Sequence, residues 1–238
     1  MSVTALRRAC VPGALLLAIV TAGRADAQTI RPLVSEHRGE AHGRVELVNQ
    51  GDEPLNVVIE VQGFHVDEAG AVHDVPLATA QVKLSASSLR VPPRQTRYVF
   101  YDATSASMPD WFVILARFSG YPRNQFGGVN VQLELPHFVY LLPSQAWREG
   151  DIVVRPATID PVAGTLTLIV ENTGTQFGRI DAVDVRGGGQ RVSKNGFPLF
   201  PKSIRRLEIP WTGTTLPDTV GVRASAFSIE RPLVVTPP

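Results

Sequence analysis

Cysteine is nearly absent from this 238-residue chain: the single one, Cys10, lies near the N-terminus. The remainder of the chain must fold without a disulfide, by burial alone. Beyond residue 27 no stretch is long and apolar enough to span a bilayer. Charge of one sign is also missing. With 23 Lys and Arg against 22 Asp and Glu, the formal net charge is +1. Residues 1–27 hold +2 of that (Arg7, Arg8 and Arg24 against Asp26), which leaves −1 for the remainder. Neither value draws the chain to nucleic acid or to an acidic membrane.

Catalytic patterns are absent as well. There is no G-x-S-x-G and no Ser/His/Asp set. Gly187-Gly188-Gly189 lacks the spacing of a phosphate loop. Asp181 and Asp184 point to opposite faces of a strand, so they make poor paired acids. The five histidines, His37, His42, His65, His73 and His137, come without Cys or a third ligand at metal spacing. No catalytic residue, metal or cofactor is expected, and the chain is not read as an enzyme.

What is present begins with an export signal. Arg7 and Arg8 precede the short apolar run 10–23, and Ala25-Asp26-Ala27 gives a small-x-small cleavage pattern, so the mature chain starts at Gln28. From there strands and turns alternate, with no convincing run at helical spacing. Residues 44–49 put Val45, Leu47 and Asn49 on one face. After the turn 50–54, residues 55–61 form a second strand, and the two read as a hairpin. Residues 67–70 turn, 92–95 make a stiff proline corner, and 96–101 is a strand. The dense apolar run 111–118 is a central strand covered on both faces. Arg117 within it needs a partner, and a structural ion pair with Asp110 is the expectation.

The longest patterned stretch is 126–143. Val129, Val131, Leu133 and Leu135 share one face, with Asn130, Gln132 and Glu134 on the other. Pro136 cannot donate to a ladder, which marks an edge strand. A long apolar edge templates pairing with another chain. After the polar segment 144–150 the pattern restarts, with strands at 152–159, 165–172, 180–185, 204–209, 220–227 and 232–235. Residues 165–172 end in Asn-Thr-Gly, as 44–49 end in Asn-Gln-Gly. The fold expected is all-β: two Ig-like β-sandwich domains set at an angle, 28–143 and 151–238, joined by a hinge at 144–150.

The stretches VELVNQGDEPLNVVIEV, LRVPPRQTRYVFY, WFVILARF and VNVQLELPHFVYLLP, with LTLIVENTGTQFGRIDAVDV and FPLFPKSIRRLEI in the second half, resemble the periplasmic pilus-assembly chaperones, the PapD-like family. The resemblance implies a periplasmic, ATP-independent chaperone. It would bind pilin-like subunits by lending its seventh strand, work with an outer-membrane usher, and form a homodimer when free of client. It would place Val129, Val131 and Leu133 in the subunit's groove, with Leu135 continuing the row. It also implies a clamp for the subunit's C-terminal carboxylate, a lysine in the seventh strand and an arginine in the first. Here the lysine position is Phe138 and the arginine before the terminal proline is Leu142, which leaves Arg31 as the candidate. The competing reading is a structural or adhesive Ig-type module, in which the same row is internal scaffold and Trp111, Trp147 or Trp211 offers an aromatic platform.

Overall fold

The computed structural model describes residues 28–120 and 132–236. The signal stretch 1–27 lies outside these residues. Among the described residues four sheets are formed, two from the chain up to Leu142 and two from Ile152 onward. In the first half, β1 (Thr29–Arg31), β3 (Ala41–Val48), β8 (Thr96–Ser105) and β6 (Ala80–Leu84) lie in the order β1-β3-β8-β6. The facing sheet runs β2 (Val34–Arg38), β10 (Leu133–Leu142), β9 (Asp110–Ser119), β4 (Leu55–Val66) and β5 (Val72–Val75), with β7 (Ser88–Val91) also on β4. In the second half, β13 (Thr165–Asn172) pairs with β11 (Ile152–Val154), β12 (Ala157–Asp160) and β16 (Ile204–Pro210), and β19 (Val235–Thr236) joins β12. Opposite it the order is β15 (Gln190–Leu199), β14 (Gly178–Gly187), β17 (Thr219–Ala224) and β18 (Ser228–Pro232). The chain is a two-domain β-sandwich.

Period-two burial builds each core. Val45 and Leu47 of β3, Leu55, Val57 and Ile59 of β4, and Val99, Tyr101 and Ala103 of β8 meet between the first pair of sheets. The apolar run of β9 is split by the same alternation. Phe112, Ile114, Ala116 and Phe118 enter that core, while Val113 and Leu115 face the other way, toward the second domain. Being buried on both faces, β9 has no polar alternation.

Two sequence expectations are corrected. Residues 44–49 and 55–61 do not form a hairpin. β3 pairs with β1 and β8, and β4 with β9, β5 and β7, so the connection crosses from one sheet to the other. Alternation reveals an inward row without saying which sheet carries it, and here the two rows face each other across the core. Residues 152–159 likewise divide into β11 and β12 at Arg155-Pro156, since proline cannot continue a ladder donor row.

The repeated Asn-x-Gly has one construction in both domains. Asn49 is buried, and its Nδ2 donates to the carbonyls of Glu53 (2.7 Å), Val91 (3.2 Å) and Pro92 (3.2 Å), while Oδ1 accepts from the Gly51 amide (3.0 Å). Asn172, also buried, donates to Gln176 (2.7 Å) and Leu199 (3.3 Å) and accepts from the Gly174 amide (2.9 Å). Each closes a strand end by satisfying carbonyls that would otherwise be buried alone.

Candidate functional site

The distinctive edge of the first domain is β10. Along its whole length it pairs antiparallel with β9, from Leu133↔Phe118 to Leu141↔Asp110. On its other side β2 covers only half of it, in parallel, from Phe138↔Val34 to Leu142↔Arg38. Among the described residues, the stretch from Gln132 to His137 has no strand on that side. The Phe138 amide donates to the Leu33 carbonyl (2.9 Å), away from β9. Residues at the same parity, Glu134 and Pro136, therefore turn their backbone groups to the open side. Pro136 has no donor to leave unpaired there, which is why a proline is tolerated inside this strand. The open stretch keeps the Glu134 amide and the carbonyls at 134 and 136.

Leu133 and Leu135 lie half-buried against the first-domain core, in the same row as His137, Val139 and Leu141. Ile30 of the neighbouring β1 packs on that core as well. The two leucines thus line the seam between the sheets where the sandwich is open. Val129 and Val131 lie outside the described residues. Arg31 ends β1 in register with Glu46, exposed, and its side chain has no hydrogen bond or ion pair among the described residues.

Arg117 does not pair with Asp110. The two stand near opposite ends of β9, too far apart along an extended strand. Arg117 bridges Glu134 of β10 and Glu60 of β4 across the outer face of the sheet. These carboxylates, the Glu134 hydrogen bond first, push its guanidinium pKa further up. Asp110 instead accepts from Thr79 Oγ1 (2.6 Å), Ser105 Oγ (2.6 Å) and its neighbour's amide (2.8 Å). The Arg117 pair is half-exposed, so it orients the free half of β10 more than it stabilises the domain.

The outer face of β10 looks toward the second domain. Phe138, Tyr140 and Leu142 pack with Phe64, Val113 and Leu115 against Phe177 and Phe200. Tyr140 stacks on Phe177 at 4.6 Å, Phe138 meets Phe64 edge-on at 5.1 Å, and Trp111 meets Phe200 at 4.6 Å. Burial pushes the Tyr140 hydroxyl up to about 12, with Arg179 pulling the other way. Arg179 lies over the Tyr140 ring and binds Glu36 of β2 through two nitrogens (2.9 and 3.1 Å). Phe138, which the resemblance aligns with a clamp lysine, packs as a ring in this apolar junction.

A second tie reaches the same domain from the β4–β5 turn. Asp67 Oδ1 accepts from the Gly70 (2.7 Å) and Ala71 (2.8 Å) amides, and Oδ2 contacts His73 Nε2 at 3.0 Å. These bonds, His73 foremost, lower the Asp67 carboxyl to about 2. The turn so fixed offers its backbone to β16. The Arg206 amide donates to the Glu68 carbonyl (2.8 Å), and Arg205 Nη1 to that of Asp67 (3.3 Å).

The tryptophans are packing residues. Trp111 donates from Nε1 to the Phe64 carbonyl (2.8 Å), Trp211 is buried, and Trp147 lies on Gly178 and Phe227. None forms an exposed platform.

Sequence reasoning misses a polar cluster beneath the seam. His137 is fully buried, with Nδ1 at 2.7 Å from the Pro32 carbonyl and Nε2 at 3.3 Å from the Tyr101 hydroxyl. That hydroxyl is 3.0 Å from His37 Nε2. The Tyr101 ring fits only because Gly43 lies opposite, where a Cβ would come within 2.2 Å of it. Gly43→Ala is expected to lower stability by about 1–3 kcal/mol through overpacking, measured by urea denaturation. An unchanged midpoint would mean that the ring has room to move. A histidine between apolar neighbours is the only sequence signal of this cluster.

No family model matches the chain, and no curated protein matches its sequence. Solved structures do match its fold. The structure of Salmonella enterica SafA pilin in complex with the SafB chaperone matches with a TM-score of 0.60 at 13% identity, over 89% of this chain and 99% of that one. The YadV chaperone gives 0.56 at 11% identity, over 86% and 98%. The class 5 fimbriae chaperone CfaA gives 0.55 at 10% identity, over 87% and 99%. At such identities the likeness is one of fold: this chain has the two-sandwich architecture of the fimbrial chaperones.

Proposed function

We propose that this protein is a periplasmic, ATP-independent chaperone, not an enzyme, that holds pilin-like subunits by lending them the open edge of β10. Residues 1–27 are its export signal, 28–143 and 151–238 its two domains, and 144–150 the hinge. Val129, Val131, Leu133 and Leu135 fill the subunit's groove, and Arg31 is the cation for its terminal carboxylate. An outer-membrane usher receives the subunit, and a homodimer covers the edge in the free state.

The observation that carries this reading is an edge strand that no other strand covers over half its length among the described residues, in a fold found in fimbrial chaperones. A guest strand added there gains backbone hydrogen bonds, and alternate leucines give it apolar contact. Each buried leucine contributes about 1.5–3 kcal/mol, from which the cost of association is subtracted.

Glu134→Pro tests the mechanism. It removes the amide donor on the open side and leaves the β9 side of the strand intact. Glu134→Ala controls for the lost ion pair with Arg117. Subunit recovered with the tagged protein from the periplasm is expected to fall at least tenfold for Glu134→Pro and to hold for Glu134→Ala. Full recovery with the proline variant would rule out strand donation at this edge.

A further inference from the structure

The polar cluster under the seam lies where β10 passes from open to covered. His137 is the last residue before β2 begins to pair, and among the described residues β2 is an edge strand whose ladder partner is β10, with the Glu36–Arg179 pair as a further tie to the second domain. The cluster joins four pieces of the first domain: the β1–β2 crossover through the Pro32 carbonyl, β10 through His137, β8 through Tyr101, and β2 through His37. Ser35, on the same face of β2 as His37, also points toward the Tyr101 hydroxyl.

One proton arrangement satisfies every group with both rings neutral. His137 Nδ1–H donates to the Pro32 carbonyl, which leaves its Nε2 bare. The Tyr101 O–H donates to that nitrogen, and the tyrosine oxygen accepts from His37 Nε2–H. A first added proton goes to His37 Nδ1 and leaves this chain intact. A second must enter at His137 Nε2, the atom that already accepts from Tyr101. The Tyr101 O–H can then no longer point at His137, and two imidazolium rings face one buried oxygen, at 3.0 and 3.3 Å.

Among the described residues, nothing nearby offsets that charge. On β3, His42 adds to the repulsion felt by His37, and the Asp102 carboxylate of β8 is engaged by His42 at 2.7 Å. On β2, Glu36 binds Arg179 on the opposite face and Arg38 points to the Pro143 carbonyl. On β9, the residue opposite His137 is Ile114. Among the described residues no carboxylate hydrogen-bonds either His37 or His137.

We propose that His37, Tyr101 and His137 form an acid-released latch: with both rings neutral it holds β2 against β10, and uptake of the second proton frees β2 from that edge. The element that yields is β2, a five-residue strand with a single neighbour, whereas β10 and β8 each lie between two. The uncovered edge then runs from Gln132 to Leu142. The latch concerns how β2 is held and stands whether or not β10 accepts a guest strand.

The direction of titration agrees with this. Burial lowers the pKa of both rings below 6.5, helped by His42 at His37 and by His37 at His137. A base whose folded pKa is depressed stabilises the fold above its unfolded pKa and loses that contribution as pH falls through the folded one.

Amide exchange by NMR on the purified protein, corrected for intrinsic rates, compares pH 7.5 with pH 5.0. Protection of residues 34–38 is expected to drop at least tenfold while β3 and β9 keep theirs. His37→Gln, which carries no second charge, is expected to keep β2 protected at pH 5.0. Unchanged wild-type protection would overturn the latch. So would equal loss across all strands, or the same drop in His37→Gln. Should that variant expose β2 already at pH 7.5, the wild-type ring titration decides: His137 protonating in step with β2 exposure supports the latch, and protonation without exposure overturns it.

Discussion

Phe200→Ala is expected to cost about 3–5 kcal/mol, the range for a buried phenylalanine, and to split unfolding into two transitions. Phe200 is 7% exposed and sits in the turn between β15 and β16, with rings of the first domain (Phe64, Trp111 and Tyr140) and of the second (Phe177) around it. Each sandwich keeps its own separate apolar core when this side chain is removed. The loss therefore falls on the coupling between domains. Differential scanning calorimetry should show one cooperative peak in the wild type and two in the variant. Limited proteolysis should also cut the variant faster between Leu142 and Ile152. A single peak shifted by no more than about a degree would show that Arg179–Glu36 and the Asp67 turn carry the junction without the rings.

The second large effect is expected at Asn49. Asn49→Asp removes the Nδ2 donor from three carbonyls and places a carboxylate among them at a position 1% exposed. One unsatisfied buried carbonyl costs about 1–3 kcal/mol, and a buried unpaired charge costs more. A loss of about 3 kcal/mol or more is expected, read from urea denaturation. Asn172→Asp is expected to do the same in the second domain with a smaller loss, since two carbonyls are involved there. With Phe200→Ala as background the two domains unfold separately, so each asparagine variant should move only its own transition. A shift of both transitions by Asn49→Asp alone would contradict that assignment.

Much of this architecture is legible from residues alone. Val45, Leu47 and Asn49 share a buried face as their spacing requires. The 67–70 turn lies where its turn residues put it, and Gly188 and Gly189, both at positive φ, close the β14–β15 hairpin. Partnership is not legible. Alternation marks which side of a strand is apolar, not which strand lies beside it, so proximity in sequence suggests a β3–β4 hairpin and an Arg117–Asp110 pair that the fold does not make. The domain junction is drawn from Phe64, Trp111, Phe138, Tyr140, Phe177 and Phe200, which are too scattered to make a local pattern. His137 reads as an ordinary strand histidine because its partners, Tyr101 and the Pro32 carbonyl, are 36 and 105 residues away.

The half-covered edge has a consequence for alignment. A strand that slides by one residue turns every side chain to the wrong face, so any chain adding to β10 needs something to stop it sliding. β2 is such a stop. It fills the edge from Phe138 onward, so a strand that did add along the open half of β10 would meet β2 end-on. If β10 lends its edge as proposed, β2 acts as a ruler whose zero mark is set at His137, and collision fixes the guest's register before any side chain is read.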